Sequence, residues 1–249
     1  MVKYLYSECD YRFITDPDMS LLHVDSVRKQ IGGRQILNDV FLSCRQGEIV
    51  GLLGRNGSGK STLLKIIFGS LSADHKYVTI DGRVKRSLAD TRNLIRYLPQ
   101  DSFLPGHIRI KTIISCFCNQ VHAAVIRDHE LIRPFLAKKA NQLSGGEKRI
   151  LEILLMIYSD ARYLLLDEPF NGIAPLHIEL IKGLIRKHGQ HKGFIITDHD
   201  YSNVLDISET IILIQDGNTR KINDLQELID YGYLPEKSTS WSLQFFSER

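Results

Sequence analysis

Eight consecutive residues in the first quarter of the chain have the types and spacing needed to hold a row of phosphate groups. They fit the pattern G-x-x-x-x-G-K-[ST], in which glycines allow backbone N–H groups to surround phosphate oxygens. The lysine of the pattern reaches the terminal phosphates, and the final hydroxyl ligates Mg²⁺. The pattern therefore predicts a nucleotide polyphosphate as ligand. The eight residues are Gly54, Arg55, Asn56, Gly57, Ser58, Gly59, Lys60 and Ser61.

The neighbouring residues supply the elements that such a loop requires. Residues 48–53 predict a buried strand, and residues 61–68 predict a helix with one apolar face. The first N–H groups of a helix lack partners within it, so a phosphate can cap this end. We expect Lys60 to reach the β- and γ-phosphates, Ser61 to ligate Mg²⁺ and Thr62 to contact the α-phosphate. A plain glycine-rich turn is the alternative, and the strand–loop–helix context argues against it.

Two carboxylates follow a second apolar strand. Residues 163–166 read Tyr-Leu-Leu-Leu, and Asp167 and Glu168 come directly after them. Ligands of open α/β sheets bind at the carboxyl edge, where this strand would end. We expect Asp167 to hold Mg²⁺ through water and Glu168 to orient or deprotonate an attacking water molecule. Acids at a strand end can simply be exposed, but here a phosphate loop accompanies them.

The order of the predicted elements indicates an α/β fold. Residues 19–47 alternate as antiparallel strands do, with Gly32-Gly33 as a hairpin turn, whereas strands and helices alternate after residue 144. Residues 101–142 show helical apolar spacing and no clear strand, which predicts a small helical lobe. We therefore expect a phosphate-loop nucleoside triphosphatase core with a mostly parallel sheet, an antiparallel β subdomain and a helical subdomain. The apolar positions of the lobe include Ile110, Ile113, Ile114 and Phe117.

The composition is that of a globular protein, because 43% of the 249 residues are hydrophobic and 24% are charged. The net charge is only +3 and no long run of Lys or Arg occurs, so no nucleic-acid partner is expected. No apolar stretch approaches the roughly 18–20 residues of a membrane span, and no signal-peptide pattern is present. We therefore expect a cytoplasmic location. The scattered cysteines are expected to be reduced thiols: Cys9, Cys44, Cys116 and Cys118.

A further motif points to a family. Residues 143–147 read Leu-Ser-Gly-Gly-Glu, which resembles the signature motif of ATP-binding cassette (ABC) ATPases. Other family features agree in order along the chain, and the resemblance covers about residues 19–235. Besides the phosphate loop, those features are Gln100 after a strand, the strand end Asp167-Glu168-Pro169, and Thr197-Asp198-His199-Asp200.

The resemblance implies how the site is completed. In the family, the helix end at Ser144, Gly145 and Gly146 faces the γ-phosphate bound to the opposite subunit, so two ATP molecules lie within a head-to-tail dimer. The resemblance further implies that His199 contacts the γ-phosphate and the attacking water. It also implies that Gln100 contacts Mg²⁺ and the water and links the site to the helical lobe. The same serine begins a capping box, S-x-x-E, and both interpretations can hold together.

Two positions depart from the family pattern. Ile31 stands where the family carries an aromatic residue stacked on adenine, so we expect weaker ATP binding and poorer discrimination between bases. Tyr11 or Phe13 in the leader could replace that aromatic residue, and a disordered leader is the alternative. Ala174 stands where Asp is common, which puts communication between the two sites of the dimer in question.

These observations predict an N-terminal leader (1–18), an ABC ATPase domain (19–235, with a helical subdomain at about 101–159) and a C-terminal tail (236–249). The resemblance implies Mg²⁺-dependent ATP hydrolysis that powers transport through separate integral-membrane subunits, which would hold the chain at the cytoplasmic face of the inner membrane. One alternative is a soluble cassette acting on a cytosolic partner, for example in iron–sulfur cluster assembly. A nucleotide-sensing clamp with negligible turnover is another, and Glu168 argues against it.

Overall fold

The computed structural model describes residues 20–235, which form two β-sheets with helices packed against them. The leader (1–18, with Tyr11 and Phe13) and the tail (236–249) lie outside the described residues. The strands are β1 (Leu21–Ile31), β2 (Arg34–Arg45), β3 (Ile49–Leu53), β4 (His75–Ile80), β5 (Arg83–Val84), β6 (Ile95–Leu98), β7 (Tyr163–Asp167), β8 (Gly193–Thr197), β9 (Thr210–Gln215) and β10 (Asn218–Ile222). The helices are α1 (Lys60–Phe68), α2 (Leu88–Thr91), α3 (Ile110–Phe117), α4 (Gln120–Asp128), α5 (Gly145–Ile157), α6 (Pro175–Gly189), α7 (Tyr201–Ile207) and α8 (Leu225–Asp230).

The smaller sheet is antiparallel and has the order β2-β1-β4-β5. The hairpin turn predicted at Gly32-Gly33 is confirmed, because Ile31 pairs with Arg34 and the two glycines have φ of 58° and 78°. Leu37 on β2 packs against the phosphate loop so closely that a Cβ on Gly59 would lie 2.8 Å from its Cδ2. The antiparallel sheet therefore supports one side of the loop.

The larger sheet has the order β10-β9-β3-β8-β7-β6, and only the pair of β9 with β10 in this sheet is antiparallel. All residues of β3, β7 and β8 are buried, as expected for parallel strands with both faces covered. The predicted mostly parallel sheet is confirmed. Since parallel strands end at one edge, this order brings the loops that follow β3, β6, β7 and β8 together.

Helices dominate the region between β6 and α5. Residues 101–142 contain α3, α4 and two short 3₁₀ turns, Arg133–Phe135 and Ala140–Gln142, with no strand among them. Of the apolar positions predicted for this lobe, Ile110, Ile113 and Ile114 are buried in a core shared with α5. Phe117 is 42% exposed instead, because α3 ends there and the ring packs only partly, beside Phe103.

Two short helices, α2 and α7, were not predicted. Helix α7 lies between β8 and β9 and buries Val204, Leu205 and Ile207. Its seven residues are too few for a clear helical period. Across residues 20–235, no helix combines the length and the apolar character needed to cross a membrane.

Candidate nucleotide-binding site

The predicted phosphate loop connects β3 to α1, and its backbone requires glycine. Gly57 and Gly59 have φ of 78° and 103°, angles that residues with a Cβ seldom adopt. At Gly54 a larger residue is excluded by steric overlap, because a Cβ there would lie 2.5 Å from Ser58 Oγ and 2.7 Å from the carbonyl oxygen of Ile214. The backbone conformation of the loop therefore requires glycine at positions 54, 57 and 59.

Polar groups of this loop are left available for an anion. Helix α1 begins after Gly59, which has no side chain to cap the first N–H groups. The Oγ of Ser58 is buried and has no hydrogen-bond partner among the described residues. Uncapped helix N–H groups and an unpartnered hydroxyl fit a phosphate group at this place.

Lys60, the first residue of α1, is 7% exposed and folds back over the loop. Its Nζ donates hydrogen bonds to the carbonyl oxygens of Gly54 at 2.6 Å and Arg55 at 3.2 Å. Burial lowers the pKa of Lys60, while the carboxylates of Glu168 and Asp167 oppose that change. The ammonium group therefore contacts the loop and is close enough to both predicted acids for their charges to affect its pKa.

Asp167 ends β7 and accepts hydrogen bonds from three hydroxyl groups. Ser61 Oγ and Thr197 Oγ1 donate to its Oδ1 at 3.1 and 2.9 Å, and the Tyr97 hydroxyl donates to Oδ2 at 2.9 Å. The residue is 1% exposed. Burial, followed by the charge of Asp167, raises the pKa of Tyr97 well above its usual value, so this hydroxyl remains a donor. The contact with Ser61 joins two of the three predicted Mg²⁺ ligands.

Sequence reasoning assigned no role to Tyr97 or to the hydroxyl of Thr197. They reach Asp167 because β6 and β8 flank β7, with Thr197 directly opposite Asp167 in the register. A signal was present in the sequence, since both residues lie at or near the end of an apolar strand. Strand order was needed to show which strand ends are neighbours.

Glu168 and His199 meet at the same edge. His199 Nε2 lies 2.8 Å from Glu168 Oε1, and the histidine side chain is half exposed while the glutamate is almost fully buried. Glu168 has a φ of 51°, and its N–H donates to the carbonyl oxygen of Thr197 at 2.9 Å. The turn after β7 thus directs the carboxylate toward the loop that follows β8.

These groups line one cavity of about 380 Å³. It brings together the phosphate loop, Gln100 in the segment after β6, Glu168, His199 and the apolar side chain of Ile31, which is 50% exposed. The residues lining the cavity are Ile31, Ile36, Asn56, Gly57, Ser58, Gly59, Lys60, Ser61, Thr62, Gln100, Glu168 and His199. Within residues 20–235 this lining does not include Ser144, Gly145 or Gly146.

The signature residues lie instead at the N-terminus of α5. The predicted capping box is confirmed, because Glu147 N–H donates to Ser144 Oγ at 3.2 Å and Ser144 N–H donates to Glu147 Oε2 at 2.7 Å. A Cβ on Gly146 would lie 2.6 Å from the carbonyl oxygen of Gly172, whereas one on Gly145 would meet no atom within 4 Å. Gly146 therefore permits close packing inside this chain, and Gly145 faces open space.

The fold and the cavity together define a phosphate-loop nucleotide-binding protein whose loop, acid strand and histidine loop share one sheet edge. A family model described as ABC transporter matches residues 37–171. The chain therefore belongs to the ABC transporter family, and it is an ATPase of that family.

Known proteins agree with this assignment. The lipopolysaccharide export system ATP-binding protein of Acidithiobacillus ferridurans is 30% identical over 223 residues, which cover 84% of this chain and 92% of that protein. The aliphatic sulfonates import ATP-binding protein of Cupriavidus pinatubonensis is 31% identical over 209 residues, covering 82% and 69%. A solved structure of an ATP-binding subunit of an ABC transporter has the same fold, with a TM-score of 0.74 at 21% identity over 92% of this chain and 98% of that one.

Proposed function

We propose that this chain binds ATP with Mg²⁺ in the cavity beside the phosphate loop and hydrolyses it to ADP and phosphate. The observation that carries the proposal is the convergence of two pairs at one sheet edge. Ser61 contacts Asp167, which suits a hard cation that prefers oxygen ligands. Glu168 contacts His199 beside the same loop.

Each residue has a part in the proposed reaction. The loop N–H groups and Lys60 bind the β- and γ-phosphates and stabilise the negative charge that develops on them. Glu168 accepts a hydrogen bond from the attacking water and orients it, with His199 beside it. Ser61 and Asp167 would hold Mg²⁺, with Gln100 at the same cavity. When bound, this ion neutralises charge on the phosphate oxygens.

The hydrolysis is proposed to power transport through separate integral-membrane subunits. Two similar proteins are named as ATP-binding proteins of an export and an import system, which supports such a role without indicating a direction. The chain would then lie in the cytoplasm, at the inner membrane, and would pair head-to-tail with a second cassette. The transported substrate is left open.

A glutamate substitution tests the hydrolytic site. In Glu168→Gln the side chain keeps its size but loses its basicity, so we expect the rate of phosphate release to fall by about 10²–10⁴-fold. ATP affinity, measured by titration calorimetry, should stay within about threefold of wild type. Glu130→Gln, which changes an exposed carboxylate of the helical lobe, is the control and should hydrolyse ATP at the wild-type rate. Wild-type turnover in Glu168→Gln would refute the assigned role.

The transport role needs a different experiment. The tagged chain is purified in mild detergent from native membranes and, separately, from the soluble fraction. We expect co-purification of proteins with several membrane spans, and their addition should change the ATPase rate. If only soluble partners co-purify from both fractions, the chain is a cassette acting in the cytosol, and the transport proposal is wrong.

A further inference from the structure

Arg149 on α5 is a buried charged residue with no part in the site described so far. It is 5% exposed, although guanidinium groups usually contact solvent. Its Nη1 donates to the carbonyl oxygen of Pro99 at 2.6 Å, and its Nη2 donates to those of Asp167 and Glu168 at 2.5 and 2.9 Å. One side chain therefore joins Pro99, which precedes Gln100, to the end of β7 and to Glu168, which follows that strand.

The counter-ion of Arg149 extends this connection. Glu152, one turn further along α5, is 1% exposed, and its Oε2 lies 3.4 Å from Arg149 Nη1. Its other oxygen accepts hydrogen bonds from Ser102 Oγ at 2.5 Å and from the Phe103 N–H at 3.1 Å. The pair thus binds the segment after Gln100 as well as the segment before it.

Stability alone does not account for such a pair. Burying two charges has a large desolvation cost, and apolar residues of similar volume often serve stability as well or better. What apolar residues cannot provide is five directed hydrogen bonds to two loops of the site. One of the carbonyl groups belongs to Glu168, whose φ of 51° is uncommon for a residue with a side chain.

We propose that Arg149, with Glu152 as its counter-ion, is a positioning residue for ATP hydrolysis. It fixes the backbone of Glu168 and the two ends of the Gln100 segment to α5, so that the glutamate carboxylate and the glutamine amide keep one relative arrangement. Because Ser144 caps the N-terminus of α5, a movement of that helix end would be transmitted through Arg149 to Glu168. This inference rests on the proposed role of Glu168 and does not involve ATP affinity.

The main test replaces both charges at once. In the double variant Arg149→Met with Glu152→Met no unpaired buried charge remains, so the fold should be retained. We expect kcat to fall at least tenfold while the KM and the affinity for ATP stay within about threefold of wild type. Arg149→Lys is the second variant, because it keeps the charge but a single ammonium group cannot reach three carbonyl groups of two loops. It should show a smaller fall in kcat of the same kind.

A matched control comes from another buried cation. Lys182 on α6 is 5% exposed and pairs with Glu179 and Asp206 at 2.9 and 3.0 Å, away from the cavity. Lys182→Met should lower the unfolding temperature but leave kcat per folded molecule within about twofold of wild type. Loss of a buried cation as such is thereby separated from loss of positioning.

A second readout does not depend on turnover. Amide hydrogen exchange in peptides covering residues 99–104 and 167–171 should be faster in both Arg149 variants, and unchanged in Lys182→Met. Unchanged exchange in these peptides, or wild-type kcat in a folded Arg149 variant, would overturn the inference. If Glu168→Gln is inactive while the Arg149 variants are fully active, the positioning role alone fails. If Glu168→Gln retains wild-type turnover, the proposed site itself is wrong.

Discussion

At the scale of single residues, the hydrogen bonds around Asp167 explain how its carboxylate can stay charged while buried. Its two oxygens accept hydrogen bonds from the hydroxyls of Ser61, Thr197 and Tyr97, so its negative charge is solvated although the side chain is 1% exposed. The partners of a metal ligand orient it and tune its affinity. Thr197 and Tyr97 would therefore orient Asp167 in the proposed Mg²⁺ site, in which Ser61 is itself a proposed ligand.

Ile31 is the residue on which the prediction of weak adenine binding depends. It lines the cavity and is 50% exposed, so its side chain is accessible to a bound base. We expect Ile31→Tyr to bind ATP about 2- to 10-fold more tightly, because an aromatic contact adds about 0.5–1.5 kcal/mol beyond area burial. Titration calorimetry with ATP and GTP measures both affinity and base preference.

The control for this substitution is Val84→Tyr, which places the same side chain at an exposed position on β5 of the same sheet. It should leave both affinities unchanged. Equal ATP affinity in Ile31→Tyr and wild type would show that adenine does not contact this position.

At the scale of elements, the two glycines that begin α5 have different environments. Gly146 approaches the carbonyl oxygen of Gly172 in the loop that follows β7, and this contact holds the helix against the acid strand. Gly145 has free space around it. Of the two glycines in the signature motif, Gly146 is therefore needed for packing within this chain. Gly145 is not, and the space beside it is open.

Substitution by alanine separates the two glycines. Gly146→Ala should destabilise the protein by about 1–3 kcal/mol, because its Cβ would overlap a backbone oxygen. Gly145→Ala should keep the wild-type unfolding temperature but lower ATP turnover at least tenfold, because the added methyl group would meet the phosphate bound to the partner. Thermal unfolding and phosphate release are measured for both. Full turnover in Gly145→Ala would contradict a phosphate-binding role for this end of α5.

At the scale of the whole molecule, the signature residues lie apart from the cavity of their own chain. The phosphate loop, Glu168 and His199 share a cavity, while Ser144 and the two glycines after it do not line it. A second copy arranged head-to-tail would bring its Ser144 end to the γ-phosphate. ATP would then bridge two chains, and its hydrolysis would release them.

This arrangement predicts dimerisation that depends on ATP. In sedimentation experiments, Glu168→Gln should be a monomer without nucleotide and a dimer with ATP and Mg²⁺, because slow hydrolysis preserves the bridging ligand. Adding Ser144→Arg should prevent the dimer. The matched control is Ser87→Arg, which alters the capping serine of α2 instead and should leave dimerisation intact. A variant that remains monomeric with ATP, in the presence of its membrane partners as well, would rule out the shared site.

Much of the site could be predicted because its motifs are contiguous. The phosphate loop carries its own strand and helix, the acid pair ends its own strand, and the capping box lies within four residues. Predictions failed where a pattern was short. Helices α2 and α7 were missed for this reason, since they span only four and seven residues.

The sequence by itself determined the ligand class, the α/β fold and the order of the motifs, since each depends on residues close together in the chain. Only the tertiary structure decided which hydroxyls reach Asp167, that Glu168 lies 2.8 Å from His199, and that Arg149 joins two loops. These contacts depend on the strand order β8-β7-β6 and on the packing of α5 against it. Both arise from residues far apart in the chain, whose pairing no local pattern specifies.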